Sequence, residues 1–285
     1  MAYKTILTVV TPPQSDDEQK VVARQLAASV AVARREDAHL EVLALGVDRT
    51  QIGYFYAGAS AMMYQETLDR AQEEAREVEA EIRKTLGREE IRWSVDTAVA
   101  QIGGLAGLIA QSARFADLVV LPQPYGPAPG TEAEAVIESA MFEGQAPVLV
   151  TAGATAPDLS PSRIVVAWNQ SSEALTAIRR ALPVLRRADL VNVAIIDPPQ
   201  HGPERSDPGG MLSQWLSRHG IRSEVSVLAR TLPRISDVLS RHVRDQNAEL
   251  LVMGAYGHSR FRQAILGGAT RNMLEQAEVP VFMAH

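Results

Sequence analysis

Short apolar runs alternate with longer amphipathic stretches along the chain. Thr5 to Val10, Ile91 to Val95 and Leu118 to Leu121 are short and largely apolar, which is typical of strands. Val21 to Val32 and Leu105 to Ala113 instead carry apolar residues at helical spacing. Strands that alternate with helices predict parallel pairing with right-handed crossovers, so we expect an α/β protein.

The second half of the chain repeats the order of the first. Ile164 to Trp168 matches the first strand, and Leu250 to Met253 matches Leu118 to Leu121. A stretch rich in Ala, Pro, Ser and Thr separates the two copies and has the composition of a linker. The repeat predicts two copies of one fold, as domains at residues 1–153 and 161–285.

Composition narrows the classes of function. The 285 residues are 46% hydrophobic and 22% charged, with a net charge of -6, which argues against a general nucleic-acid binder or an anionic-membrane binder. No apolar run approaches the length of a membrane span, so we expect no membrane insertion. The absence of cysteine excludes disulfides and thiolate metal sites. The apolar run at the N-terminus is too short for a signal segment, and we expect a cytoplasmic location.

A glycine-punctuated loop follows the apolar run Leu250 to Met253. A loop at the end of a parallel strand that leads into a helix presents free backbone N–H groups and a partial positive charge, which suits an anion. No Asp or Glu occurs between Gly254 and Leu274. The same stretch contains the basic residues His258, Arg260, Arg262 and Arg271. The local charge therefore favours phosphate, although glycines also end strands for conformational reasons and arginines also solvate surfaces.

The spacing of the glycines favours the interpretation of this loop as a phosphate site. Gly254, Gly257 and Gly267 are spaced G-x2-G-x9-G, which resembles the nucleotide signature of the universal stress protein family. Thr270 and the following apolar helix continue the resemblance. Gly268 stands where nucleotide-binding members carry Ser or Thr, and Thr270 is close enough in sequence to substitute for that hydroxyl.

The resemblance implies a fold and a ligand. It implies two tandem Rossmann-like domains of the adenine-nucleotide alpha hydrolase type, each with a five-stranded parallel sheet of order 3-2-1-4-5. The implied ligand is ATP or ADP, with or without Mg, in the C-terminal copy. In the N-terminal copy Pro122 takes the place of Gly254 and has no N–H to offer a phosphate, so we expect no nucleotide there.

Two further positions in the C-terminal copy match the family's binding residues. Asn169 stands where members carry an Asp that contacts the nucleoside, and Ile195 matches a position whose backbone contacts adenine, although a core Ile would look the same. Ser171 and Ser172 are interpreted as a helix N-cap. The candidate binding residues are Gly254, Gly257, Gly267, Gly268, Thr270, Asn169, Ile195 and Arg260.

Three functions remain open. The leading hypothesis is a stress-response sensor or regulator that binds ATP or ADP. The alternatives are a nucleotide-independent protein-interaction module and a slow ATP hydrolase, for which Asp197 is the candidate metal ligand. Scattered histidines without ligand spacing, among them His219 and His242, are interpreted as surface residues.

The family pattern also bears on assembly. It implies that the two copies pack as an intramolecular pseudo-dimer. Their last strands, at Val148 to Val150 and Val281 to Met283, are the expected edges of contact. Assembly into a homodimer stays open, and the protein partner is unknown.

Overall fold

The computed structural model describes residues 2–49, 59–125, 132–152, 161–198, 207–255 and 268–285. By contacts the chain forms two compact units, one of Tyr3–Ala146 and one of Pro147–His285 together with Met1–Ala2. We call them the N-terminal unit and the C-terminal unit. Within the described residues no helix is long and apolar enough to cross a membrane.

The N-terminal unit is a parallel sheet connected by helices. Its described elements are β1 (Thr5–Val10), α1 (Asp16–Glu36), β2 (His39–Asp48), α2 (Ala59–Leu86), β3 (Arg92–Gln101), a 3-10 turn (Ile102–Gly104), α3 (Leu105–Ala113), β4 (Leu118–Pro122) and α4 (Ala133–Phe142). The strands lie in the order β3-β2-β1-β4 and all pair in parallel. The central strands β1 and β4 are buried along most of their length, which explains their apolar sequences.

The C-terminal unit repeats this arrangement. Its described elements are β5 (Val148–Thr151), β6 (Arg163–Ala167), α5 (Ser172–Leu185), β7 (Leu190–Ile196), α6 (Gly210–Arg218), β8 (Ser223–Leu228), α7 (Ile235–Asp245), β9 (Leu250–Gly254), α8 (Gly268–Gln276) and β10 (Val281–Ala284). The order β8-β7-β6-β9-β10 is parallel throughout and reproduces the predicted order 3-2-1-4-5. Strand β5 is added antiparallel to β10, with Val150 opposite Val281. The predicted fold class is confirmed.

Strand pairing gives a residue-by-residue correspondence between the units. Ile6 lies opposite Leu118 in one sheet, as Ile164 lies opposite Leu250 in the other. Counting from these pairs, Pro122 in the N-terminal unit corresponds to Gly254 in the C-terminal unit. The predicted equivalence of these two residues therefore agrees with the registers of both sheets.

Helix α1 begins and ends with recognisable signals. The Ser15 hydroxyl accepts a hydrogen bond from the backbone N–H of Glu18 (3.2 Å), and Asp16, Asp17 and Glu18 place negative charge in the first turn. At the other end Asp37 adopts a left-handed conformation (φ 48°) that closes the helix. The helix therefore starts earlier and ends later than its apolar periodicity alone predicts.

One sequence interpretation is wrong: His242 is not a surface residue. It is only 7% exposed, and its Nε2 lies 2.8 Å from Oδ1 of Asn192 on β7. The Asn192 amide also donates to the Ser226 hydroxyl on β8 (2.9 Å). Since an amide oxygen can only accept, His242 must carry its proton on Nε2. Burial lowers the pKa of His242, opposed by a weaker effect of Asp245, so the neutral ring is favoured.

This buried histidine should make the C-terminal unit sensitive to acid. The folded-state pKa of His242 lies below the unfolded value of about 6.5, so the unfolded chain binds the proton first. Its contribution to stability is complete above about pH 6.5 and falls as the pH drops towards the folded pKa. The variant His242→Gln keeps a donor for Asn192 but does not titrate. Urea unfolding should show a shallower loss of stability in this variant than in the wild type between about pH 7 and pH 5.

The matched control is Ser240→Ala on the same helix α7, which leaves His242 in place. That variant should keep the pH dependence of the wild type. Identical pH dependence of the wild type and His242→Gln would contradict the account.

Candidate functional site

The candidate site lies where the strand order of the C-terminal sheet reverses. Strand β6 has β9 on one side and β7 on the other, with Ala167 opposite both Met253 and Ala194. Parallel strands end at the same edge, so Asn169 and Gly254 follow neighbouring strands at the carboxyl edge of the sheet. Ligands in α/β sheets bind in the crevice at such a switch point.

The start of α5 shapes one side of this crevice. The Ser171 hydroxyl accepts from the backbone N–H of Ala174 (3.1 Å), and Oδ1 of Asn169 accepts from the backbone N–H of Ser171 (3.2 Å). Ser171 is thus confirmed as the N-cap, and Ser172 is the first residue of the helix. Asn169 is exposed, and its side-chain oxygen takes part in the turn. Its amide group is the part that remains for a ligand.

Gly254 is required by packing. A β-carbon at this position would lie 2.4 Å from the backbone nitrogen of Ala174 and 2.7 Å from the carbonyl carbon of Glu173. Both contacts are with backbone atoms of the first turn of α5, which cannot move aside without shifting the helix. The close approach of strand and helix therefore explains this glycine, whatever ligand the crevice holds.

Ile195 belongs to the core. It is 3% exposed, and its Cδ1 lies 2.8 Å from the place where a β-carbon of Gly209 would be. Gly209 has φ 92°, which favours glycine, and it precedes α6. The Ile195 side chain is thus a packing residue, and only its backbone could face a nucleotide base.

Helix α8 is the next described element after β9 in the chain. Gly268 is the first residue of the helix, and Thr270 in its first turn is 5% exposed. Three of the eight predicted binding residues, namely Gly257, Arg260 and Gly267, lie outside the described residues. Asn169, Gly254 and Ile195 are the predicted residues that sheet pairing brings to one edge.

The structure adds residues that sequence reasoning did not select. The indole Nε1 of Trp168 is buried and has no hydrogen-bond partner among the described residues. In the first turn of α5, Glu173 has its pKa lowered chiefly by its own backbone N–H, then by the hydroxyls of Ser171 and Ser172 and by the charge of His285. An acidic residue in the first turn of a helix is favoured by the helix dipole, and this pattern in the sequence could have identified Glu173.

The carboxyl edge of the C-terminal sheet carries both a histidine and an aspartate. His285 places Nδ1 3.0 Å from the carbonyl oxygen of Ala255, which can only accept, so Nδ1 carries a proton. Asp197 follows β7 in a left-handed conformation (φ 49°), is exposed, and donates its backbone N–H to Leu228 (2.9 Å). Across the described ranges, no three His, Asp or Glu side chains are grouped so that they could hold a metal ion.

The corresponding edge of the N-terminal unit differs. Pro122 ends β4 where Gly254 ends β9, and it has no N–H. At the start of α4 the carboxylate of Glu132, 5% exposed, accepts from Nε and an NH2 group of Arg49 at 2.7 and 3.2 Å. A carboxylate of the chain itself thus lies at this helix start, paired with the chain's own arginine.

Comparison with known proteins identifies a family for the C-terminal unit. A family model described as "Universal stress protein family" matches residues 161–285. The C-terminal half of the chain belongs to the universal stress protein family. A curated universal stress protein of Synechocystis is 32% identical over 73 residues, and this match covers 26% of the chain and 24% of the relative's length.

Solved structures extend the similarity of fold to both units. A universal stress protein from Archaeoglobus fulgidus matches 98% of this chain and 95% of its own, with a TM-score of 0.68 and 16% identity. A putative universal stress protein from Pseudomonas aeruginosa matches 99% and 93%, with a TM-score of 0.57 and 15% identity. Another Archaeoglobus fulgidus universal stress protein was solved in complex with dAMP. It covers 53% of this chain at a TM-score of 0.28 and 16% identity, which is too low to assign a ligand here.

The packing role of Gly254 can be tested by adding one methyl group. Gly254→Ala should destabilise the C-terminal unit by about 1 to 3 kcal/mol, the usual cost of overpacking, because the new β-carbon would meet the backbone of α5. Gly107→Ala is the control: nothing lies within 4 Å of its β-carbon, and it lies in helix α3. The control should gain up to about 1 kcal/mol. Equal effects of the two substitutions on denaturant unfolding would contradict this role of Gly254.

Proposed function

We propose that the C-terminal unit binds ATP or ADP at the carboxyl edge of its sheet and that the protein acts as a stress-response sensor or regulator. The observation that carries the proposal is the position of the glycine motif. Gly254, its first residue, ends β9 beside the β6 switch point, and α8 begins directly after its last glycine. A helix N-terminus suits phosphate in general, because the first backbone N–H groups have no partner within the helix.

Other residues support an adenosine moiety at the same edge. The free amide of Asn169 and the buried indole N–H of Trp168 are donors beside β6. The end of β7, which contains Ile195, lies next to β6 at this edge. The universal stress protein match of residues 161–285 covers all of these positions.

The described site offers little for rapid chemistry. Phosphoryl transfer needs charge neutralisation at the transferred phosphate and a positioned nucleophile. Asp197, the candidate metal ligand for a slow ATP hydrolase, is exposed and belongs to no metal-binding cluster of described residues. Binding that stabilises ground and transition states equally does not raise the chemical rate, so we favour a sensor over an enzyme.

A nucleotide-independent interaction module is the second candidate. The negative charge of Glu173 beside Gly254 favours it, because the lowered pKa keeps this carboxylate ionised near the crevice. Gly268 in place of Ser or Thr removes one hydroxyl from the phosphate end. The two candidates differ in a simple observable, the binding of an adenine nucleotide.

Calorimetric titration tests the proposal. ATP or ADP should bind once per chain, and Gly257→Asp should weaken binding at least about 100-fold through like charge next to phosphate, or about 2.8 kcal/mol. Gly103→Asp, where a β-carbon has nothing within 4 Å, is the control and should bind normally. Two equivalent sites, or no binding of ATP, ADP or AMP at millimolar concentration, would favour another function.

Turnover should be slow. We expect ATP hydrolysis below roughly 0.01 per second, against about 1 to 1000 per second for typical enzymes. A steady-state assay on protein freed of contaminating ATPases measures it. Fast magnesium-dependent hydrolysis that is lost in Gly257→Asp would make the protein an enzyme.

A further inference from the structure

The C-terminal sheet ends at strand β8, and the outer edge of this strand is unpaired. Within the described residues β8 pairs with β7 alone and is the last strand in the sheet order. The carbonyls of Arg222 and Leu228 accept hydrogen bonds from backbone N–H groups on the β7 side, at 3.0 and 2.9 Å. Backbone groups alternate in direction along a strand, so those of Ser223, Val225 and Val227 point to the outer edge. Such an edge is a template for pairing with another strand.

The side chains beside this edge are apolar. Val225 and Val227 lie on the face of β8 that carries α6, since a β-carbon at Gly209, the N-cap of α6, would lie 3.5 Å from Cγ1 of Val225. The two valines are 39% and 54% exposed. Met211 in the first turn of α6 is exposed as well. The C-terminal unit thus presents apolar side chains next to unpaired backbone groups.

The equivalent edge of the N-terminal unit is polar. Counting along the paired strands of both sheets, Val227 of β8 corresponds to Thr97 of β3, and Ser226 corresponds to Asp96. The Thr97 hydroxyl donates to a carboxylate oxygen of Glu79 on α2 (2.7 Å), and Asp96 is exposed. Charged and polar residues on an edge strand oppose pairing with another chain. Strand β3 has this protection at two positions where β8 does not.

Charges along β8 distinguish between the ways of pairing two copies. Identical strands related by a two-fold axis pair antiparallel, and their outer-edge residues must face each other to exchange hydrogen bonds. Pairings centred on Glu224 or Val225 place each Glu224 opposite or diagonal to its own copy. The pairing centred on Ser226 places Arg222 opposite Arg230 of the second copy. All three arrangements bring like charges together, which is destabilising.

We propose that this edge binds a second copy of the chain, with the two β8 strands antiparallel and Val227 opposite its own copy. In this pairing Glu224 lies opposite Arg230 of the second copy, on both sides of the axis, so opposite charges face each other. Arg230 is exposed and donates to the carbonyl of Pro233 (2.6 Å), which leaves other guanidinium donors for a carboxylate. The proposal does not depend on nucleotide binding.

The size of the contact indicates a weak dimer. The pairing adds backbone hydrogen bonds and covers Val225 and Val227. Stable interfaces bury about 1,200 to 2,000 Å², and a pairing of about five residues from each strand lies at or below the low end of that range. We therefore expect a dissociation constant of about 10 µM.

Cysteine cross-linking tests the pairing, because the chain has no cysteine of its own. Directly opposite residues in a hydrogen-bonded antiparallel pair have Cα atoms about 5.5 Å apart, within the range of about 4.4 to 6.8 Å that a disulfide spans. The full chain carrying Val227→Cys should therefore form a covalent dimer under mild oxidation, visible on a non-reducing gel. Thr97→Cys, at the equivalent exposed position of β3, is the control and should stay monomeric. Val225→Cys should also stay monomeric, because the pairing separates it from its own copy by about 13 Å along the strands.

Exchange of charges tests the proposed ion pairs. Sedimentation velocity measures the dissociation constant of the dimer. Glu224→Arg and Arg230→Glu should each raise this constant at least tenfold, because like charges then face each other twice. The double variant restores opposite charges and should dimerise within about threefold of the wild type. Both side chains are exposed, and circular dichroism of each variant checks that it folds.

Three results would overturn the proposal. The first is a wild-type chain that stays monomeric at about 300 µM. The second is cross-linking of Val225→Cys or Thr97→Cys as fast as that of Val227→Cys. The third is a double charge variant that dimerises no better than either single variant.

Discussion

The close approach of strand β9 to helix α5 is the constraint on which the C-terminal site depends. At Gly254 the strand lies so near the first turn of the helix that a β-carbon would be 2.4 Å from the Ala174 nitrogen. The contact fixes the start of α5 against the carboxyl edge of the sheet. The turn at Asn169 and the N-cap at Ser171 lie at the same end of α5. The glycine that begins the nucleotide-like motif is therefore a structural residue first, and the crevice beside it is a consequence of the packing.

The two units carry different residues at equivalent positions of one fold. Both sheets pair their central strands in the same register, so equivalent positions can be compared directly. Where the C-terminal unit has Gly254, the N-terminal unit has Pro122. The start of α4 carries the paired Glu132 and Arg49, whereas α8 starts at Gly268. In the N-terminal unit Pro122 thus has no N–H to offer a phosphate, and a carboxylate lies at the start of the following helix.

Much of the fold could be predicted from sequence because local patterns determine it. The helix predicted at Leu105 to Ala113 is observed with the same bounds. The strand predicted at Ile91 to Val95 runs instead from Arg92 to Gln101, because it pairs with β2 along that whole length, and this pairing is between residues distant in sequence. The burial of His242 could not be predicted, because its partner Asn192 lies fifty positions away in sequence. The contact that requires Gly254 is likewise with a residue distant in sequence, Ala174. A glycine at the end of a strand does not by itself indicate such a contact.

The central claim is that the C-terminal unit alone holds an adenine nucleotide. Photo-crosslinking of the whole chain with 8-azido-ADP, followed by peptide mapping, tests it most directly. The account predicts that the label appears only in peptides from residues 161–285 and that excess ADP prevents it. Label in peptides from the N-terminal unit, or labelling that excess ADP does not reduce, would contradict it.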